Sequence, residues 1–347
     1  MNKKEFQFNE NSFDILRMVG AYIVILSHSF RWLDMEKPAY LSFLTNGSVG
    51  VMMFFAITGF MIMPAYERTI RRGGKKSLIY FFWNRIIRIY PALLFSFVII
   101  SVVDVVLMGE NILTPQYVIY AIKYCVFARG GGYGVNGISN GVLWTITADI
   151  LYYLLTPIVY KLLHNKNSFV WCIVIFLFWL LNLFDTKIIA ICQGIPVIGA
   201  HIDESFAICF IYEFLIGSFM YFKREKLLYF FVNNKKYITM AFIGFLVYYT
   251  IWDITSLIPK TYAMHAPQMT LVVCPLTIIM GYAFGKHRIK HEISYGLFMY
   301  HILVVQCLKY FSIGGYLGIC MVVVITTFVA LVSKRFIEDP CLRLKKK

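Results

Sequence analysis

Apolar runs of about 16 to 22 residues recur from one end of the chain to the other, and their length decides the fold class before any single residue is read. A helix rising 1.5 Å per residue needs about that many residues to cross a hydrocarbon core about 30 Å thick. Only 15% of the 347 residues are charged and 59% are hydrophobic, whereas a soluble domain carries about a quarter charged. The expected fold is therefore all-α, a polytopic transmembrane helix bundle. About ten spans are expected, over residues 13–30, 48–65, 88–108, 143–163, 168–184, 206–222, 237–253, 268–285, 292–311 and 315–333. The stretch 117–128 is too short to span and holds Lys123, so it reads as an interfacial or re-entrant segment. The first run carries Asp14 and Arg17 and is followed by SHSFRWLDM, with no small-residue cleavage site, which makes it an uncleaved first span.

Basic residues alternate with these runs. One set of connections holds Lys3 and Lys4, the cluster from Arg68 to Arg85, Lys161 and Lys166, the cluster from Lys223 to Lys236, that from Lys286 to Lys290, and the tail. The opposite set holds only Arg31, Lys37, Lys123, Arg129, Lys187 and Lys260. By the positive-inside rule both termini are expected in the cytoplasm, with Lys75 and Lys235 inside and Lys260 outside. The net charge of +15 then reads as topology signals and anionic-lipid contacts, not as a nucleic-acid surface. Residues 1–347 are expected to form a single membrane domain, with spans over 13–333 and a short basic tail, 334–347. None of the eight cysteines stands in a CxxC or Cys/His metal spacing, so no metal site is expected. The glycine-rich stretch RGGGYGVNGISNG, 129–141, lacks the ending of a phosphate loop and reads as a flexible outer loop.

Ionisable groups inside a span are costly and so mark functional candidates. Arg17 and His28 stand eleven residues apart, about three helical turns, so they share a face about 16 Å apart along the axis. Asp14 and Arg17, at i and i+3, can pair as a salt-bridged helix end. Arg85 and Arg88, at i and i+3 where the chain enters the third span, fall on one helix face, and two guanidiniums side by side suit a phosphate as well as they suit membrane topology. Asp149 lies near the expected depth of His28, where a carboxylate could orient an imidazole or simply be solvated. Ser294 and His301 share a face of the ninth span, and His301 reads either as a working group or as a buried histidine bonded to a neighbouring helix.

Taken together, the motifs resemble the acyltransferase-3 family of membrane-bound, mostly bacterial O-acyltransferases. FDILRMVGAYIVILSHS resembles its first-span signature, GVMMFFAITGFMI its second-span pattern and NRIIRIYP its arginine motif. LWTITADILYYLLTP is similar to the Trp-Ser-Leu-x-x-Glu-x-x-Tyr-Tyr region, ISYGLFMYH to the Ile-Ser-Tyr motif, and FIEDP to the Glu-x-Pro ending. Asp149 replaces the usual Glu and Thr145 the usual Ser, which shortens the carboxylate's reach by one methylene.

The resemblance implies a multi-pass protein of the cytoplasmic (inner) membrane that transfers an acyl group, usually acetyl, from acyl-CoA to a hydroxyl of a cell-surface polysaccharide or lipid-linked glycan. It implies that His28 is the catalytic position and Arg17 its companion, with Asp149 beside them. Arg85, Arg88 and Arg17 are expected to hold the nucleotide of acyl-CoA. Asp14, Trp144, Tyr152, Tyr153, Ser294, Tyr295 and His301 are expected to support the site. Acetyl-CoA or another acyl-CoA enters as co-substrate, with no permanently bound cofactor, and the expected partners are a glycan or glycolipid acceptor and membrane lipids. His28 acts either as general base on the sugar hydroxyl or as an acylated nucleophile. A transporter or flippase, or a non-catalytic partner in glycan export, is the competing class, since intramembrane charges serve those too.

Overall fold

The computed structural model describes residues 11–38, 41–131, 137–193, 207–227, 234–255, 267–283, 289 and 291–345. Among them the long elements are all helices: α1 (Phe13–Trp32), α2 (Gly47–Gly73), α3 (Ser77–Met108), α4 (Pro115–Phe127), α5 (Trp144–Leu163), α6 (Ser168–Leu183), α7 (Asp185–Gln193), α8 (Ile211–Phe222), α9 (Lys235–Thr255), α10 (Pro267–Ala283), α11 (Ser294–Tyr310), α12 (Gly315–Ser333) and the short α13 (Asp339–Leu342). A π turn, Lys334–Glu338, joins the last two. The all-α polytopic bundle read from the sequence is what folds, and each expected apolar run coincides with a helix. Among the described residues, five helical stretches are long and apolar enough to cross a membrane: Phe13–Trp32, Gly47–Arg72, Ser77–Met108, Gly141–Leu163 and Gly315–Leu342. A bent pair, Ser168–Leu183 with Lys187–Gln193, would make a sixth. Lys3, Lys4, Lys260, Lys286 and Lys290, which the expected alternation of basic loops also uses, lie outside the described residues, as do the side chains of Lys75 and Lys235.

Outward faces confirm the solvent. Val98, Val102 and Val106 on α3, and Leu317, Val324 and Phe328 on α12, are exposed, a run of uncovered apolar side chains that only lipid tolerates. The segment expected to be interfacial is α4. Thr114 caps it by accepting from the Tyr117 amide, Pro115 opens it, and Ala128 ends it in the left-handed region at φ 51°. Its 13 residues extend only about 20 Å. Tyr117, Tyr120 and Tyr124 line its buried face, while Val118, Ile122 and Val126 face outward.

The helices group into two compact units interleaved in sequence. The first holds residues up to Gly20, Pro38–Tyr66 and Leu151–Lys290. Its core is aromatic: Tyr152 lies 5.1 Å from both Phe55 and Phe214, and Phe13 packs on Phe60 and Tyr282. The backbones of α2 and α8 meet through a reciprocal glycine pair. A Cβ on Gly59 would fall 2.0 Å from the Phe214 carbonyl oxygen, and one on Gly217 would fall 2.1 Å from that of Ala56. Close backbone approach through small residues is how membrane helices gain packing without a hydrophobic drive. Gly59→Ala or Gly217→Ala is therefore expected to cost about 1 to 3 kcal/mol by overpacking, read as a lowered melting temperature of the purified protein. Gly244→Ala, where an added Cβ meets nothing within 4 Å, is the control and should not lower it.

The second unit holds Ala21–Lys37, Glu67–Ile150 and His291–Lys347. α11 and α12 pack closely because Gly296 sits against Ala330. Tyr22 on α1 reaches Thr327 on α12 at 3.1 Å. The connection between α4 and α5 is more ordered at its ends than its glycine content suggests. Gly130 and Asn140 form an antiparallel bridge, the buried Asp104 carboxylate accepts from the Ile138 amide at 2.7 Å and from the Tyr117 hydroxyl at 3.0 Å, and residues 132–136 lie outside the described residues.

Candidate active site

The second unit brings two histidines together. Nδ1 of His28, near the end of α1, lies 2.8 Å from Nε2 of His301 on α11. The ring planes are within 10° of each other with centroids 5.0 Å apart, hardly more than the N···N distance plus the two ring half-widths. The imidazoles thus meet edge to edge, in line. His301 is fully buried, and its Nδ1 lies 2.8 Å from the Phe298 carbonyl oxygen one turn earlier on α11. His28 is only partly buried, so the pair has one sealed member and one that a second substance can reach.

Neighbouring bonds fix α11 in place. Asn140 donates to the Met299 carbonyl at 3.1 Å and to the Tyr124 hydroxyl at 3.1 Å, and the Ser139 amide donates to Gln306 at 3.3 Å. The ordered end of the α4–α5 connection is therefore clipped to the helix on both sides of His301. Tyr295 donates to the Ile89 carbonyl at 3.1 Å, tying the start of α11 to α3 beside Arg88. Ser294, expected to share a face with His301, donates through its amide and its hydroxyl to the Glu292 carboxylate and so closes the start of α11.

Asp149, which the sequence offered either as an orienting carboxylate or as a solvated one, lies on α5 in the same unit, and Nδ1 of His28 is bonded to His301. Trp144 opens α5. Tyr152 and Tyr153, further along, are buried in the first unit, Tyr152 at 0% exposure. Asp14 and Arg17 also belong to the first unit and face each other, Oδ1 to Nη1, at 4.0 Å, the i,i+3 pair read from the sequence. Arg17 and His28 nevertheless share the one unbroken helix α1.

A second polar cluster forms where the tail returns to α3. Trp83 donates from its indole to the Leu344 carbonyl at 3.2 Å. The Arg85 guanidinium stands 5.6 Å from the centre of the Phe81 ring. Lys334 lies 3.8 Å from Glu338 and 3.2 Å from Asp339, and Glu338 accepts from Ser333, which is bonded to Tyr300. Arg88 acts on the charge of Glu338, and Arg88, Arg85 and Lys334 all act on Lys345. The Lys345 ammonium is pushed down to about 8, first by partial burial and then by those three cations. Arg85 and Arg88 are thus two members of a larger group, whose third and fourth members come from the tail.

Three ionisable residues, two of them buried, were not singled out in the sequence. Asp104 and Glu213 are both 0% exposed within apolar helices, and the rule that marked Asp14 and Arg17 would have marked them. Lys345 carried no signal beyond its place in a basic tail.

A helical membrane protein whose second unit holds an in-line imidazole pair and a patch of cations is the class that fold and site define. The chain belongs to the Acyltransferase domain family, whose profile matches residues 10–334, and the resemblance carried by the motifs holds. Similar proteins include Nodulation protein 10 of Rhizobium leguminosarum bv. viciae, 29% identical over 44% of this chain and 45% of that protein. An O-acetyl transferase of Shigella phage Sf6 is 27% identical over 48% of this chain and 50% of its own length. The chain spans about half the length of these curated relatives. No solved structure matches it.

Proposed function

We propose that the protein is a multi-pass O-acyltransferase of the cytoplasmic membrane, moving an acyl group, most simply acetyl, from acyl-CoA to a hydroxyl of a surface polysaccharide or lipid-linked glycan. The observation that carries this reading is the His28–His301 pair, an imidazole held at a fixed angle yet left partly open, in a chain of an acyltransferase family. A neutral imidazole with one unprotonated ring nitrogen can take a proton from a hydroxyl. In the proposed step His28 removes that proton as the hydroxyl oxygen attacks the thioester carbonyl carbon. The tetrahedral intermediate collapses with loss of the C–S bond, and the departing thiolate takes the proton back, leaving an ester and free CoA. On this reading both termini and the cluster of Arg85, Arg88 and Lys345 lie on the cytoplasmic side, where the donor's phosphates arrive, and Arg17 assists donor binding. Ten spans remain the proposed count.

Purified protein in lipid, given labelled acetyl-CoA and an acceptor glycan, tests the reading: label should move to the glycan. Glycan movement across the membrane without label transfer would place the chain among transporters instead. The donor site also has a pH signature. Lys345 loses its charge as pH rises through about 8, and an anionic donor favours the charged form. KM for acyl-CoA should therefore rise above that pH by roughly two- to fivefold, the size of a partly exposed ion pair. Lys345→Ala should show the raised KM already at pH 7 and no further step near pH 8.

A further inference from the structure

His301 stands between two partners of different chemistry. Its Nδ1 faces the Phe298 carbonyl oxygen at 2.8 Å, and its Nε2 faces Nδ1 of His28 at 2.8 Å. A carbonyl oxygen only accepts, so Nδ1 of His301 carries a hydrogen. A second hydrogen on Nε2 would make a fully buried cation facing another imidazole with no carboxylate bonded to it among the described residues, a heavily penalised state. Nε2 of His301 is therefore bare, and the hydrogen between the rings belongs to Nδ1 of His28. Neutral His28 then carries its free lone pair on Nε2.

We propose that His301 is a positioning residue that selects the Nδ1–H tautomer of His28 and so makes Nε2 the nitrogen that takes the acceptor's proton. The inference rests on the reading of His28 as the base. As His28 gains a proton its Nδ1–H becomes a cationic donor, and the bond to His301 strengthens at the moment charge develops. The arrangement uses a neutral imidazole where other base systems use a carboxylate. It also accounts for the tight turn of contacts around residue 301: the Phe298 carbonyl sets the tautomer of His301, which in turn sets that of His28.

Two measurements test this. In protein carrying nitrogen-15 histidine in lipid bilayers, solid-state NMR should find both rings with protonated Nδ1 and bare Nε2, and one of these two signals should disappear in His28→Ala. In transfer assays His301→Leu, which cannot accept the hydrogen, should lower kcat roughly ten- to hundredfold, the range for losing a bond to a charged group. KM for acyl-CoA should stay within about twofold, because the donor's phosphates are not touched. His301→Gln, whose amide oxygen can accept from Nδ1, should recover much of the loss. Normal turnover in a membrane-inserted His301→Leu, a glutamine variant no better than the leucine one, or a proton on Nε2 of His28 in the spectrum would each overturn the inference. If the leucine variant fails to insert, the spectrum of the unaltered protein decides alone. Activity surviving in His28→Ala would instead remove the base reading and leave the spectrum to judge the tautomer.

Discussion

His28→Ala is expected to reach the membrane at near-normal level, still bind acyl-CoA, and transfer acyl groups about 10² to 10⁴ times more slowly, the usual worth of a positioned acid–base group. The side chain sits near the end of α1 and is partly open, so its removal vacates little packed volume. What it does remove is the partner of the buried Nε2 of His301, and some loss of stability will accompany the loss of rate. Rate and melting temperature must therefore be measured together, with equilibrium acyl-CoA binding as the control that the donor site survives. Asp149→Asn leaves the imidazole and its Nδ1 partner in place and should cost less. Turnover above about a tenth of wild type in His28→Ala would be a loss smaller than even the low end of that range and would refute the assignment.

Combining Arg85→Ala with Arg88→Ala should raise KM for acyl-CoA steeply while leaving the acceptor's KM near its original value. Losing one charged hydrogen bond costs about 1.5 to 3 kcal/mol, roughly 10- to 150-fold, and the double variant should exceed the effect of either single one. The two effects will not simply multiply, since both cations act on Lys345 and neighbours in one network couple. Arg88 also acts on Glu338, so its loss leaves that carboxylate to Lys334 and Ser333. Titration with acyl-CoA at fixed acceptor, and the reverse, separates the two sites. Arg72→Ala, on an exposed residue at the end of α2, should change neither constant. Unchanged donor kinetics in a folded double variant would take the arginines out of the site.

The helices were legible because lipid imposes one requirement on every span, an unbroken apolar run of fixed length, and such runs can be read locally. Pairing across the bundle could not be read that way. The 3.6-residue period tells which residues share a face but not which face meets which, and the partner of His28 is 273 positions away. Expected depth favoured Asp149, whereas the structure bonds His28 to His301, a residue noticed in the sequence for its place on α11 and not for its partner. The glycine-rich connection misled for a related reason. Its ends are held by Asp104 and Asn140, and nothing local to residues 129–141 announces a carboxylate on α3 as their anchor. The tail lysine was invisible because its neighbours, Arg85 and Arg88, lie more than 250 positions earlier.

The π turn at Lys334–Glu338 inserts one residue into what would otherwise be a continuous helix from α12 into α13. Each residue of an α-helix advances about 100° around the axis, so the insertion rotates everything after it by about that angle. The side on which the tail meets Trp83, Arg85 and Arg88 is thus a matter of phase. Deleting Phe336 or Ile337 would preserve every charge of the tail yet turn the last helix and the residues that follow it, Lys345 among them, to another side, whereas apolar substitutions there that keep the count would leave them facing α3. Length at this turn, more than the identity of its residues, decides whether the chain's last cations and its arginine helix act on the same ligand.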